Sequence, residues 1–316
     1  MITYLVRRFA WAIVVLAAVA IMTFILAYIL PADPARMIAG PQARPEDVAA
    51  IRHALGLDRP FLAQLGTYIG NLLRGNFGHS YHQNRDVLPL LLQRFPATLQ
   101  LAVAGLFLEI LIGLPLGLVA AARKGTWFDR AATATTIVLV SAPSFWVGYL
   151  VLEVVFQAHQ AKIDIFPVGG GYRALDLRYL FLPALTLGFS GAAYYNRVMR
   201  ATMIEELHRD YIRTARAKGL GERVVLWRHA LRNAVGPVLI QVGLDLGFFL
   251  GGVVVVEQVF SWPGIGKLAV ESIVTADVPL IMGTVVFGTL CIVVANLVVD
   301  VVNAMIDPRI RLGEPT

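Results

Sequence analysis

Gly264, Gly266 and Lys267, in the stretch SWPGIGKL, are residue types that cradle phosphate in nucleotide-binding loops. Such a loop needs G-x-x-x-x-G-K-[ST]: the glycines let backbone N–H groups wrap the phosphates, and the hydroxyl holds magnesium. Here Ser261 stands where the first Gly must be, and Leu268 where the hydroxyl must be. The stretch is therefore not a nucleotide site. GFSGA, at Gly188–Ala192, breaks the hydrolase elbow G-x-S-x-G at its last position, and no H-E-x-x-H occurs. His53, His79 and His82 are scattered without metal-site spacing, and Cys291, the sole cysteine, lies in an apolar run. No catalytic or metal-ligating residue is assigned, and the chain is read as non-catalytic.

The elements that carry these residues follow from composition. The 316 residues are 57% hydrophobic and 15% charged, with a mean hydropathy of +0.68. A soluble domain has about 25% charged residues, so this chain lacks the polar surface to coat itself in water. The net charge of +6 is read as cation-rich cytoplasmic loops rather than as affinity for nucleic acid. A helix crosses the hydrocarbon core with roughly 20 apolar residues. Six runs qualify: Phe9–Leu30, Thr98–Ala122, Ala131–Gln157, Tyr179–Met199, Pro237–Val256 and Leu280–Ile306. The first is too long for a signal-peptide core and is read as a retained anchor.

The loops RKGTWFDR (Arg123–Arg130) and Arg197–Arg232 are dense in cations, and the tail has Arg309 and Arg311. Glu257–Pro279 holds Lys267 as its one basic residue. This pattern predicts an all-α polytopic membrane protein with six transmembrane helices and both termini cytoplasmic. The expected organisation is a first helix at 1–30, an extracytoplasmic region at 31–97, a five-helix core at 98–306 with a cytoplasmic loop at 200–235, and a cytoplasmic tail at 307–316. In the external region, Pro45, Glu46 and Asp47 signal a helix start and Gly56 its end.

Ionisable residues within spans cost about 2.5–3.5 kcal/mol at mid-helix on insertion scales. Glu109, Glu153, Asp245 and Asp300 are such residues. For Glu109 and Glu153 the favoured reading is an interhelical hydrogen bond. Gly243, Gly247 and Gly251 recur every four residues and predict close packing on a neighbouring helix. Asp245 is about 200° round the helix from Gly243, so it is expected to face a partner subunit or a pathway.

The segment Arg200–Leu239 reads as two helices joined at a turn. Glu205, Glu206, Arg209 and Asp210 have helical charge spacing. Gly219 suits the left-handed position that ends the first helix, and the second runs from Gly221–Glu222 through RVVLWRHALRN. An amphipathic helix on anionic lipid is the competing reading.

At this loop the chain resembles the inner-membrane permease subunits of ABC importers of the dipeptide, oligopeptide and nickel type. Their cytoplasmic signature is E-A-A-x3-G-x9-I-x-L-P. Ala215, Gly219 and Leu231 match it; Arg213 and Thr214 replace the Glu and first Ala, and His229 and Arg232 replace the Ile and Pro. DYIRTARAKGL and RHALRN are similar to the peptide branch, as are EQVFSWPGIGKL, LGLDRP (Leu55–Pro60) and DPRIR (Asp307–Arg311).

The resemblance implies an ATP-driven peptide importer in which Arg213, Thr214, Ala215, Gly219, His229 and Leu231 couple to ATPase subunits. It implies two such subunits carrying ATP and magnesium, a second homologous permease and an extracytoplasmic solute-binding protein. Trp262, Pro263, Gly264 and Gly266 would form an external turn, either a docking surface or a structural corner. Nickel complexes and glutathione-like compounds are alternative substrates. An ion-coupled secondary transporter or channel is the rival class; an internal repeat would favour it, and none is evident.

Overall fold

A computed structural model describes residues 2–29, 34–40, 42–167, 171–251 and 253–306. The chain is an all-α polytopic membrane protein. Its elements are α1 (Ile2–Ile29), α2 (Pro34–Ala39), α3 (Pro45–Ala54), α4 (Phe61–Leu73), the hairpin β1 (His79–Ser80) and β2 (Arg85–Asp86), α5 (Val87–Ala122), α6 (Trp127–Ser141), α7 (Ser144–Gln160), α8 (Leu177–Leu207) and α9 (Asp210–Ala217). There follow α10 (Glu222–Val224), a π-helical segment (Val225–Ala230), α11 (Leu231–Ala234), α12 (Gly236–Leu250), α13 (Val254–Val259), α14 (Ile265–Val274) and α15 (Val278–Ile306).

By length and composition α1, α5 and α15 are apolar enough to cross a membrane, and the bent pairs α6–α7 and α10–α12 bring the number to five. The 31-residue α8 is the sixth long element; its last turns carry Arg197, Arg200, Glu205 and Glu206, which lower its mean hydropathy.

Three boundaries differ from the sequence expectation. α5 begins at Val87 instead of Thr98 and runs through Pro96. Packing overrides the proline, because Val87, Leu90 and Leu91 are buried against Ile265, Leu268 and Leu280. The expected run Ala131–Gln157 is two helices bent by 102°. Pro143 causes the break: it lacks an N–H and disfavours helix at the residue before it, and Ala142 is extended at φ −81°, ψ 125°. α12 stops at Leu250 rather than Val256, capped by Gly251. The terminal DPRIR lies outside the described residues.

The bundle is centred on α5 and α8, whose backbones approach through small residues. A side chain on Gly113 would meet Cβ of Tyr195 at 2.6 Å and the Ala192 carbonyl at 2.7 Å; one on Gly117 would meet the Asn196 carbonyl at 2.6 Å. Such small-residue steps give membrane helices close contact in place of a hydrophobic driving force. α12 lies on α15, where Gly247 and Gly251 face Asn296 and Ile292 and Gly243 faces Val299. α1 flanks α15, with Arg8 Nε 3.2 Å from Asp300. α4 stacks on α1 through Phe24, Phe61 and Tyr68. Trp11, Val103, Phe107, Leu111, Ile137, Val154, Leu244 and Phe248 remain exposed on the spans, an apolar surface suited to lipid or to a second subunit.

Candidate functional site

The elbow is built from α9 to α11. α9 has one apolar side: Ile212 and Ala215, three residues apart, are buried with Met199, Met203, Val225, Ala230 and Ala234. The helix ends in a Schellman turn, in which Gly219 N donates to the Arg216 carbonyl at 2.9 Å and Leu220 N to the Ala215 carbonyl at 3.4 Å. Gly219 has φ +77°, the left-handed value such a turn requires. Beyond it the chain is helical from Glu222 to Ala234, with a π-helical stretch where a plain α-helix was expected. The wider turn brings Val225 and Ala230, five residues apart, into the same core, each 0% exposed.

Polar bonds bolt the elbow to the spans. Tyr211 Oη donates to Glu206 at 2.5 Å and accepts from Asn233 Nδ2 at 2.9 Å, linking α9 to α8 and α11. Burial, with Glu206 beside it, pushes the Tyr211 hydroxyl above its usual pKa, which keeps it a neutral donor. Arg216 forks onto Glu222 at 2.6 and 3.2 Å across the Gly219 turn. Higher on α8, Arg200 forks onto Asp129 of α6 at 2.6 and 2.9 Å. A push on α9 is thus carried by packed and bonded contacts to α8, and through α11 to α12.

The elbow residues singled out from sequence divide into two sets. Arg213, Thr214 and Gly219 are exposed, whereas His229 and Leu231 are half-buried. Ala215 is 6% exposed and covered by this chain's own core. Its small size lets α9 lie on the π segment. The outward apolar residues are Leu220, Val224 and Trp227, which the sequence did not mark.

Within the membrane, Asp245 has a partner in its own chain. Tyr195 Oη donates to its Oδ2 at 2.7 Å and Gln241 Nε2 to its Oδ1 at 2.8 Å. The glycine stripe lies on α15 and Asp245 reaches α8, so its face is filled in part by this chain rather than only by a partner or pathway. Glu109, where an interhelical hydrogen bond was expected, has an Oε2 with no partner among the described residues. Glu153 is exposed and bonded within its own helix to Gln157 at 2.8 Å.

The turn at Trp262–Gly266 is a buried corner. Trp262 is 0% exposed, donates Nε1–H to the Ala97 carbonyl at 2.8 Å and meets Tyr172 edge-on. Glu257, 0% exposed, accepts from Thr98 Oγ1 and from Lys267 N, each at 2.8 Å; Thr98 in turn accepts from Ile265 N. The loop that resembled a phosphate cradle thus does hold an acid group at a helix N-terminus, the chain's own Glu257, through the Lys267 backbone N–H and the Thr98 hydroxyl. Gly264 and Gly266 leave the room the carboxylate occupies. The docking reading of Trp262 gives way to a structural one.

Glu257→Ala would strand the Thr98 hydroxyl and the Lys267 backbone N–H and should cost about 3 kcal/mol, seen as a lowered melting temperature of the detergent-solubilised protein. Lys267→Ala should leave it unchanged, because the bond comes from the backbone N–H and the ammonium has only a 4.0 Å contact with Glu271.

Comparison with known proteins adds the following. A family model described as binding-protein-dependent transport system inner membrane component matches residues 113–312, and one describing the N-terminal part of such membrane components matches residues 1–102. The glutathione transport system permease protein GsiC of Salmonella choleraesuis (strain SC-B67) is 39% identical over 311 residues, covering 98% of this chain and 99% of that protein. Its namesake from Escherichia coli (strain K12) is 38% identical over the same share. Among solved structures, a chain from the crystal structure of an amino acid ABC transporter with histidines aligns at a TM-score of 0.47 and 19% identity, over 70% of this chain and 94% of that one.

Proposed function

The chain belongs to the binding-protein-dependent transport system inner membrane components, the permease subunits of ABC importers, and from that membership we propose that it forms half of a translocation pathway for short peptides. Like other members it is a non-catalytic membrane subunit. The substrate class includes γ-linked peptides such as glutathione, which relatives at 38–39% identity carry by name. The pathway is completed by a second homologous permease; two ATPase subunits, holding ATP and magnesium, dock on the cytoplasmic elbow, and a solute-binding protein delivers substrate from outside. Both termini are cytoplasmic.

The observation that carries this reading is the elbow: a rigid two-helix unit, bonded to α8 and continuous with α12, presenting Leu220, Val224 and Trp227 outward among arginines. Apolar anchors within a charged rim suit docking of a protein partner. ATP-driven closure of the ATPase pair would push the elbow, and α8 and α12 would swing with it. Pathway access then alternates from one side of the membrane to the other.

Thiol labelling tests orientation and docking together. In a Cys291→Ala background, a cysteine at Gln83 should react with an impermeant reagent in intact cells, and one at Leu220 only after the membrane is opened. The Leu220 position should also become protected when the ATPase subunits are co-expressed. Labelling of the Leu220 position in intact cells, or its equal reactivity with and without the ATPases, would remove the assignment.

A further inference from the structure

A polar cleft of about 290 Å³ opens between α6 and α8, lined by Thr133, Thr136 and Ser141 of α6 and by Asn196, Arg197 and Arg200 of α8. Thr133, Ser141 and Arg197 at its mouth are exposed, whereas Thr136 and Asn196 on its floor are 7% and 5% exposed. The Asn196 amide is only half used. Its Nδ2 donates to Thr136 Oγ1 at 2.7 Å, but its Oδ1 has no partner among the described residues. Thr136 fixes this orientation of the amide: its hydroxyl already donates to the Ala132 carbonyl at 2.8 Å, so it can only accept. Thr133 and Ser141 likewise donate to the carbonyls of Asp129 and Ile137, which leaves their oxygens as acceptors.

The two cations of the cleft differ. Arg200 is forked onto Asp129, which offsets its charge. Arg197 forms no ion pair among the described residues; its guanidinium carbon lies 5.5 Å from the centre of the Tyr194 ring. The cleft thus combines one unbalanced positive charge with oxygen acceptors that lack donors. A structural role accounts for the Asn196–Thr136 bond, which ties α8 to α6, but not for the buried Oδ1, an atom that is costly to leave unmet.

Depth decides between ligands. α6 runs antiparallel to α8, with Asp129 on Arg200 and Thr136 on Asn196. It starts at Trp127, which is 78% exposed, the setting of an aromatic side chain at headgroup level. Thr133 lies six residues further on, about 9 Å at the helical rise, and Ser141 about 12 Å beyond that. The cleft is therefore deeper than a lipid phosphate, and a cation at such depth faces a water-filled path rather than lipid tails. The ligand that fits is an anion with adjacent N–H groups, which a peptide C-terminus supplies in its carboxylate and last amides.

We propose that this cleft is a subsite for the C-terminal carboxylate of the transported peptide, with the Arg197 guanidinium pairing the carboxylate and Asn196 Oδ1 accepting from a neighbouring amide N–H. A planar guanidinium matches a carboxylate in geometry as well as charge. The preferred substrate class is accordingly a peptide with a free C-terminus, and amidation removes the anion while leaving the N–H groups. This inference rests on the permease reading, since the subsite is useful only if peptide passes along α6 and α8.

The test uses the full complex of both permeases and both ATPases in lipid nanodiscs, without the binding protein, so that selectivity belongs to the membrane subunits. Tri-alanine and tri-alanine amide are titrated by calorimetry at up to millimolar concentration. The wild type should bind the free acid tighter by roughly tenfold or more, the size expected for a close charge pair. Arg197→Gln should bind the two alike; the side chain is exposed, so its loss disturbs no packing. Arg130→Gln, which removes an exposed charge of α6 outside the cleft, should keep the preference. Asn196→Leu, isosteric, should weaken both peptides and leave the preference between them. Equal binding of the two peptides by the wild type, binding of neither, an intact preference in Arg197→Gln, its loss in Arg130→Gln or unchanged affinity in Asn196→Leu overturns the subsite. A preference present in phosphatidylcholine discs but lost when phosphatidylglycerol is added would give the cleft to lipid phosphate and overturn it as well. ATP-driven uptake of tri-alanine by the wild type with its binding protein is measured alongside: its presence keeps the permease reading when the subsite fails, and its absence refutes that reading itself.

Discussion

Leu220→Glu should abolish ATP-driven uptake while the spans stay inserted. Leu220 follows the Gly219 turn and is 39% exposed, so nothing in this chain is disrupted by the change. At a docked interface the carboxylate would be buried without a partner, a penalty of about 3 kcal/mol or more, which is roughly a hundredfold in ATPase affinity. Gly219→Val acts on the same surface by another route. A side chain there meets no atom within 4 Å, so space is no obstacle, but φ is +77°, a backbone value a β-branched residue resists. The turn must open, and the patch it presents moves. Both variants should retain normal membrane content, and Leu220→Glu its melting temperature as well; both should lose co-purifying ATPase or leave it turning over ATP without uptake, and Leu220→Glu so separates docking from folding. Normal co-purification, turnover and uptake in both would place the docking surface elsewhere. Had the elbow been an amphipathic helix lying on lipid, loss of Arg216 and Lys218 would matter more than either change.

Gly113→Leu should prevent the protein from accumulating at all. Its Cβ would fall 2.7 Å from the Ala192 carbonyl and 3.1 Å from Ala192 Cα; these are backbone atoms of α8, which cannot turn aside as a side chain can. Separating α5 from α8 undoes the central helix pair and should cost about 3 kcal/mol or more. Membrane content read by immunoblot should collapse, whereas Gly66→Ala on α4, where a Cβ meets nothing within 4 Å, should accumulate normally. Gly247→Leu belongs to the same class at the α12–α15 contact, where Asn296 Oδ1 would stand 2.7 Å from the new Cβ. A Gly113→Leu protein that accumulates and melts like the wild type would mean that α5 and α8 are not held at this distance.

The spans were legible because apolar runs of membrane length have few other uses. Their ends were less so, for reasons specific to each proline. Pro96 reads as a boundary, yet the buried Val87, Leu90 and Leu91 on its N-terminal side hold the helix together across it. Pro143 sits inside an unbroken apolar run and does break the helix. Both follow the same local chemistry, and tertiary packing decided between them.

The elbow's turn was readable from Gly219, because a left-handed residue after a cation-rich helix has a local cause. Ala215 matched the family signature, but that match carries no direction; its burial beside Ile212, three residues away on one helix face, comes from the fold. The remaining site residues had weaker signals. Glu109 is framed by Gly105, Gly113 and Gly117 on one helical face, a pattern that would have placed it at a helix contact. Tyr195 and Asp245 are 50 residues apart in sequence, and Thr98 and Glu257 are 159 apart. No local rule connects such pairs. The sequence read SWPGIGKL as a turn and not as a phosphate site; that its glycines make room for the Glu257 carboxyl only the fold reveals.

The account's central claim is that this chain moves solute only when separate ATPase subunits drive its elbow, and the source of energy tests it most directly. The complete complex is reconstituted into liposomes with ATP and magnesium trapped inside, and with the solute-binding protein and labelled glutathione or tri-alanine outside. Uptake should require internal ATP, continue when proton and sodium gradients are collapsed by ionophores, and vanish when the ATPase subunits are left out. Uptake by this chain reconstituted alone, driven by an imposed ion gradient in the absence of ATP, would contradict it.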